Sequence, residues 1–506
     1  TMALAGTFGA DLTNNAGIVR TNGDLSVGGD FLNRDFTDLS GGNMIVAGDV
    51  INSATLIVRP EYQLIGNTIN EMGASLRLDG DLVGNLRLES GSDTLLRANI
   101  DGNVTNNGNI DVGLESAITG DLINNGTVDL ASFTTTRDVL NIGGDVSGTG
   151  TYTLNLDLRD EGAADTIVVG GTTTGTVNLS FDVVGTGSVA TQQSILVFDV
   201  NDAAANSFTF SAAGLPANDG ISAYSVVQDG ANGDLFVVGQ VNPGVGFVGG
   251  NLVLTQSLIG AIVNRPTSPF VVGLAYDDPD PCGAGAWSRL QAGRADASPG
   301  SDNGVSQVQS TVSADYTGFQ AGGDFACFRG PDGWDLAIGA IGGINDGQIE
   351  QPVFAIDPLD PTALSDMLTS ITTTDFMQRY AGIYGTASTG QWSADLQFRL
   401  EQTDFDITNE GVNGIDGIGV EDAELTSDAR TLSGAVNYAY AIPDTAFALI
   451  PTAGVAITRG TSGSVDFEDG SRLDIGDFAS DVGFVGVTGA WSRIDDDSQG
   501  ALRAFV

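Results

Sequence analysis

The side chains able to do chemistry are unevenly supplied. Aspartate and glutamate number 64, all 19 basic residues are arginine, and the 506-residue chain has no histidine, for a formal charge of −45. Without histidine there is no Ser-His-Asp or Cys-His catalysis, no His-bearing zinc site and no ordinary proton shuttle. Paired carboxylates can cleave glycosidic bonds, but among 64 acids no pair stands out. The clusters "DDPDP" (277–281) and "DDDS" (495–498) lack EF-hand spacing and read as solvated turns rather than calcium sites. Gly244, Gly246 and Gly249 spell G-x-G-x-x-G, yet no βαβ unit surrounds them, so they read as flexible linker. No catalytic, metal or cofactor residue is assigned. Nucleic acid is excluded as a partner, because phosphate neutralisation needs a basic face.

The surrounding elements are repetitive. "GDFLNRDFTDL" (29–39), "GDVINSATLIV" (48–58), "GDLVGNLRLES" (80–90), "GNVTNNGNIDV" (102–112), "GDLINNGTVDL" (120–130) and "GDVSGTGTYTL" (144–154) share Gly, then Asp or Asn, then alternating apolar residues. Their starts are 18 to 32 residues apart, a solenoid period. Alternation is strand spacing, and Asn-Gly supplies tight turns. The spacing predicts a right-handed parallel β-helix over 1–147, with glycine and asparagine at its corners, asparagine ladders between rungs, and some twelve coils in all. Strands continue through 148–240 ("TYTLNLDL", "DTIVVGG", "TVNLSFDVV", "SILVFDV", "SFTF", "YSVVQ", "DLFVVGQ"). "VNPGVGFVGG", the apolar run 252–263 and "RPTSP" read as a linker with one short helix over 241–281. No apolar run reaches the roughly 18–20 residues of a spanning helix.

From Cys282 the strands lengthen. In "QWSADLQFRLE" Trp392, Ala394, Leu396, Phe398 and Leu400 face one way and polar residues the other. Similar runs lie at 283–294, 315–327, 333–343, 375–387, 429–441, 447–458, 481–493 and 501–506. Long and short connections alternate between them, as in outer-membrane β-barrels with extended external loops and tight periplasmic turns. Trp287, Trp334, Trp392 and Trp491 fall near the short-turn ends, which predicts an aromatic girdle at one membrane interface. Residues 282–506 are thus read as an antiparallel transmembrane barrel. Cys282 opens the first strand and Cys327 ends the second, so a hairpin would bring them together for a disulfide in an oxidising periplasm; two free thiols are the alternative.

A Gly/Asn-rich β-helix, a linker and a C-terminal barrel together resemble the autotransporters, the type V secretion proteins of Gram-negative bacteria. "ADTIVVGGTTTGTVNLSF", "QSILVFDV" and "GISAYSVVQDGANGDLFVV" are similar to the last, pertactin-like part of a passenger, thought to nucleate its folding. "AWSRLQAGR" is similar to the first barrel strand, with Trp287 and Arg289 in the Trp-x-Arg positions, and "LIPTAGVAITR" with "VDFEDGS" to a later strand and loop. The resemblance implies a barrel in the outer membrane, inserted by the barrel-assembly machinery in contact with outer-membrane lipid, and a passenger on the cell surface. It implies an adhesin or structural protein with a glycan or protein ligand. A carboxylate-dependent polysaccharide-degrading passenger and a soluble all-β assembly are the competing readings. Family barrels have twelve strands and an aromatic last residue; the nine candidates here, ending in "ALRAFV", predict that the native chain continues or that other strands complete the barrel.

Overall fold

The computed structural model describes residues 1–506 apart from 114, 134, 160–162, 186–193, 202–205, 217–221, 231–232, 247–285, 299, 303–306, 310, 331–332, 413, 416, 421, 469, 471, 496–499 and 506. Its contacts divide the chain into two units, the first centred on Thr1–Val241 and the second made mostly of residues from Asn242 onward. The described elements are β-strands, with one 3-10 turn at Pro243–Gly246. No described helix is long and apolar enough to cross a membrane, which says nothing of a β-barrel.

The first unit is a parallel β-helix. Leu12 pairs with Phe31, Phe31 with Val50, Val50 with Thr68, Thr68 with Leu86, Leu86 with Val104, Val104 with Leu122 and Leu122 with Val146, all in parallel. Most of these steps are 18 or 19 residues. The longest such column among the described residues, from Met2 through Val19, Val128 and Leu179 to Ala212, has eleven rungs against the twelve expected. At about 4.8 Å per rung the stack is roughly 50 Å long. Leucine, isoleucine and valine at the inward positions form one continuous core from Leu25 to Val237. Among the last strands, Ser222–Gln228 and Ser194–Asp199 both pair antiparallel with Leu235–Val241, ending the parallel stack.

The repeat has a tighter rule than its motif. Gly29, Gly48, Gly66, Gly84, Gly102, Gly120, Gly144 and Gly171 stack in one column, and at all of these except Gly29 and Gly66 a Cβ would strike the glycine below: at Gly102 it would lie 2.3 Å from the Gly84 carbonyl oxygen. The column member in "GDLVGNLRLES" is therefore Gly84, not Gly80, and Gly66 in "LIGNTIN" was missed because the residues around it depart from the motif. The next residue builds an outward ladder. Its side-chain oxygen accepts the backbone N–H of its counterpart one rung on: Asp49 N–H to Asp30 (2.9 Å), Asn85 to Asn67 (3.1 Å), Asn103 to Asn85 (2.9 Å), Asp121 to Asn103 (2.8 Å) and Asp145 to Asp121 (2.9 Å).

The expected inward asparagine ladder is present. The Asn14 amide donates to Asn33 (3.0 Å), Asn33 to Asn52 (2.7 Å), Asn52 to Asn70 (2.7 Å) and Asn106 to Asn124 (2.9 Å). Leu88, the partner of both Asn70 and Asn106, interrupts it, and Asn70 turns instead to the Asp93 carbonyl (3.0 Å). In each Asn-Asn pair the first side chain is buried and the second outward; Asn125 donates to Asn107 at 3.2 Å.

The second unit is a curled antiparallel sheet whose nine long strands run in chain order: Ala286–Ala297, Val312–Arg329, Asp335–Asp357, Asp360–Thr389, Trp392–Gly411, Ala423–Tyr438, Phe447–Asp466, Arg472–Asp495 and Gly500–Phe505, called barrel strands 1 to 9 below. A two-residue strand, Tyr440–Ala441, adds to strand 7. All nine expected strands are present, but most are far longer than their apolar alternation. The long connection expected between the runs 333–343 and 375–387 is strand on both sides of Pro358–Leu359. The apolar run 252–263, read as a short helix, lies outside the described residues, as does Gly249. Gly244 and Gly246 are buried in the Pro243–Gly246 turn, where a Cβ on Gly244 would lie 2.9 Å from Ile418 Cγ2, so this stretch is packed rather than free.

Two outcomes follow for the β-helix. Gly102→Ala should cost about 1–3 kcal/mol in urea unfolding, whereas Gly9→Ala, with no atom within 4 Å of its Cβ, should cost less than about 0.5 kcal/mol. Fully buried Asp165 accepts the N–H groups of Asn155 (2.8 Å) and Asp138 (2.9 Å), and burial raises its carboxyl to about 7. That lies above the unfolded value of about 3.9, so its stabilising contribution is complete below about pH 4 and lost as pH rises through 7. The unfolding temperature of the β-helix should fall from pH 4 to 8, and Asp165→Asn should flatten that slope.

Candidate functional site

Barrel strand 5 shows how the second unit is built. Its even-numbered residues face outward: Trp392, Leu396 and Leu400 are 54%, 58% and 60% exposed. Its odd-numbered residues, Ser393, Asp395, Gln397, Arg399 and Glu401, are buried. Apolar outside and polar inside inverts the arrangement of a water-soluble protein. Past Glu401 the pattern reverses: Phe405 and Ile407 are buried while Gln402, Asp406 and Glu410 face outward. Apolar residues thus change from even to odd positions along one continuous strand.

The neighbouring strands reverse at the same level. On strand 3 Leu336, Ile338 and Ile344 face out, and beyond Asp346 the buried positions become Ile349 and Val353. On strand 6 Leu432 and Val436 face out while Leu425 is buried. On strand 4 Ile383 is exposed and Phe376 buried. The outward apolar stretch of strand 5, Trp392 to Leu400, covers about 30 Å of strand at roughly 3.3 Å per residue, or about 23 Å at a tilt near 40°, the height of a membrane barrel's apolar band.

The inward face in this band carries a polar network. The Gln291 amide donates to Asn345 (2.7 Å) and Asn345 to Gln378 (2.7 Å). The Tyr384 hydroxyl donates to Asp324 (2.5 Å) and accepts from the Trp287 indole N–H (3.1 Å). Arg399 lies 3.2 Å from Glu401, with both side chains 1% exposed, and sits over the Tyr380 ring at 5.1 Å. The sequence reading did not single out this pair; its signal was two opposite charges inside an otherwise apolar alternation.

The girdle expectation needs one correction. Trp334 and Trp392 are exposed on the outward side, and Trp392 packs on Tyr438 with centroids 4.9 Å apart. Trp491 stands opposite the exposed Phe447 in the register. Trp287 does not belong with them. Its parity on strand 1 is opposite to that of exposed Leu290, and its indole lies against Tyr384 and the buried cluster of Ile341 and Tyr380. It is a lumen residue, because closeness to a strand end says nothing about which face a residue takes. Cys327 is disulfide-bonded and opposes the buried Ala337; the chain's other cysteine, Cys282, lies outside the described residues.

The first unit offers a groove of about 420 Å³ along its rungs, lined by the outward amides of Asn67, Asn85 and Asn103 with Arg87, Ile69 and Ile123 beside them. Here the outward column, aspartate at Asp30, Asp49, Asp121 and Asp145, is amide for three rungs. Each of these asparagines uses its oxygen in the ladder, which turns its NH₂ toward the groove. Arg87 is paired with Glu89 at 2.8 Å. Among the described residues, the carboxyl in this unit with a strongly raised pKa, Asp165, is buried and holds backbone N–H groups, a structural role. Among the described residues no three His, Cys, Asp or Glu side chains cluster as metal ligands.

Residues 286–506 match the autotransporter beta-domain family. No curated protein matches the chain. In single-tryptophan variants reconstituted in bilayers with brominated acyl chains, Trp392 fluorescence should be quenched several-fold more than Trp287 fluorescence; equal quenching would refute the lumen position.

Proposed function

Residues 286–506 form an autotransporter β-domain, and from that premise we propose that the β-helix before it is a displayed binding or structural surface, an adhesin or surface scaffold rather than an enzyme. The β-domain anchors the chain in the outer membrane of a Gram-negative cell, supports export, and leaves the passenger on the cell surface. The inverted polarity of barrel strands 3 to 7 is the physical basis of the anchoring.

The observation that carries the finer reading is the amide window in the outward column. A row of NH₂ donors repeating at the rung spacing, with aliphatic Ile69 and Ile123 alongside, suits an extended, uncharged, hydroxyl-rich glycan or a polar protein segment lying along the axis. Flanking Asp49 and Asp121 disfavour an anionic ligand. Beyond this ligand, the partners in this reading are outer-membrane lipid and, during insertion, the barrel-assembly machinery.

Two measurements test it. Protease shaving of intact expressing cells should release peptides from residues 1–240 and leave the barrel strands with the membrane. Displaying cells should bind immobilised neutral glycans or matrix protein, and Asn67→Ala/Asn85→Ala/Asn103→Ala should weaken capture about tenfold or more. Unchanged capture by that variant, or polysaccharide turnover lost on replacing an acid pair, would reject the binding surface.

A further inference from the structure

Four barrel strands carry an arginine on the outward face, each just beyond the apolar stretch. On strand 1 it is Arg294, after Leu290 and Ala292; on strand 4 Arg379, after Ile383 and Ala381; on strand 6 Arg430, after Val436 and Leu432; on strand 7 Arg459, after Val455 and Ile457. All four are exposed. The chain has only 19 basic residues against 64 acids, so four on one row is a strong local bias.

The row contains an unbalanced contact. Arg430 and Arg459 are direct partners across strands 6 and 7, and like charges directly opposite destabilise a sheet. Arg459 pairs with Asp481 (2.7 Å), Arg379 with Asp404 (3.1 Å) and Arg294 with Asp296 (3.6 Å). These pairs are solvent-exposed and contribute little. Arg430 forms no ion pair among the described residues. An anion between the two guanidinium groups would relieve their opposition.

The level of the row says which anion. At this end of the apolar band acyl chains give way to head groups. Arginine stems can lie along the apolar surface while the guanidinium reaches outward and binds phosphate in bidentate fashion. Farther along the strands the outward side is acidic, with Asp346, Asp404, Asp406 and Asp428, so phosphate is favoured at the row and repelled above it. We propose that Arg294, Arg379, Arg430 and Arg459 form a docking row for the phosphate groups of outer-leaflet lipid, with one phosphate bridging Arg430 and Arg459. The row would then fix the depth of the barrel in the membrane. This inference rests on the membrane-barrel reading.

The test uses the full chain in detergent micelles, titrated with a diphosphorylated glucosamine lipid, the same lipid with its phosphates removed, or inorganic phosphate. Bound lipid is read by native mass spectrometry and barrel stability by heat-induced gel shift. The diphosphorylated lipid should remain bound and raise the unfolding temperature, and Arg294→Gln/Arg379→Gln/Arg430→Gln/Arg459→Gln should bind it roughly a hundredfold more weakly. Equal binding by that variant, or by the dephosphorylated lipid, overturns the proposal. Stabilisation of the same size by inorganic phosphate assigns the row to a free anion and overturns the lipid. Should the fourfold variant not fold, Arg430→Gln is compared with the charge-retaining Arg430→Lys, and lipid loss in both or neither also refutes it. A retained need for detergent in the variants would show that the barrel reading survives failure of the row.

Discussion

In the β-helix the interstrand hydrogen bond joins rungs mostly 18 or 19 residues apart, and in the barrel it joins neighbouring antiparallel strands whose outer faces meet lipid. What each side chain must be follows from where that ladder puts it. A lipid-facing strand has no water to satisfy its peptide groups, so the ladder has to be continuous across the membrane, and side chains are left to match the medium on each face. The result on strand 5 is leucine and phenylalanine outside, with Gln397 and Arg399 inside. Once the strand leaves the apolar band the ladder persists but the medium changes, and Phe405 and Ile407 take the inside.

That change of medium explains what was legible and what was not. Alternation of Trp392, Leu396 and Leu400 identifies a half-apolar strand, and nine such runs in order gave the sheet its strand sequence. An alternation test stops at Glu401 because apolar residues move from even to odd positions there. The hydrogen bonding does not stop, so hairpin extensions were read as loops. Trp287 was misplaced for a related reason: its nearness to a turn was visible, while its face depends on register with Gly322 and on the Tyr384 hydroxyl across the lumen. The Arg399–Glu401 pair and the arginine row were legible residue by residue, but their meaning required knowing inside from outside.

In the β-helix the chemistry of each position is nearly a local rule. The stacking glycine removes a Cβ that would collide with the rung below; the next residue must offer an oxygen to the following rung; the third is apolar and inward; the fifth, where it is asparagine, bonds along the buried ladder. Six repeats were visible because they obey most of this rule. Gly66 and Gly84 keep their places in the column and are followed by Asn67 and Asn85, which offer the oxygen to the next rung, but Thr68 takes the apolar third place after Gly66 and Leu88 the fifth after Gly84, and so the true spacing emerged only from the paired rungs. Leu88 shows the tolerance of the rule: an apolar side chain in the asparagine column breaks the ladder, and Asn70 finds a backbone carbonyl instead.

The acidity of the chain acquires a structural cause from the same ladder. Aspartate in the outward column accepts the next rung's N–H as well as asparagine does, while its charge hinders edge-to-edge association of exposed sheet. Asparagine supplies the same oxygen and adds an NH₂ that can reach a ligand. Where the column is aspartate, rung stacking and solubility account for it; where it changes to asparagine at 67, 85 and 103, stacking is unchanged and the added donors are those proposed to meet a ligand. Because the ladder joins residues mostly 18 or 19 apart, each rung forms on the one already stacked, with little need for contacts across the whole chain. A passenger that crosses a membrane as an extended chain can therefore fold on the far side as it emerges, and the side chains that build its rungs are the same ones that set the chemistry of its surface.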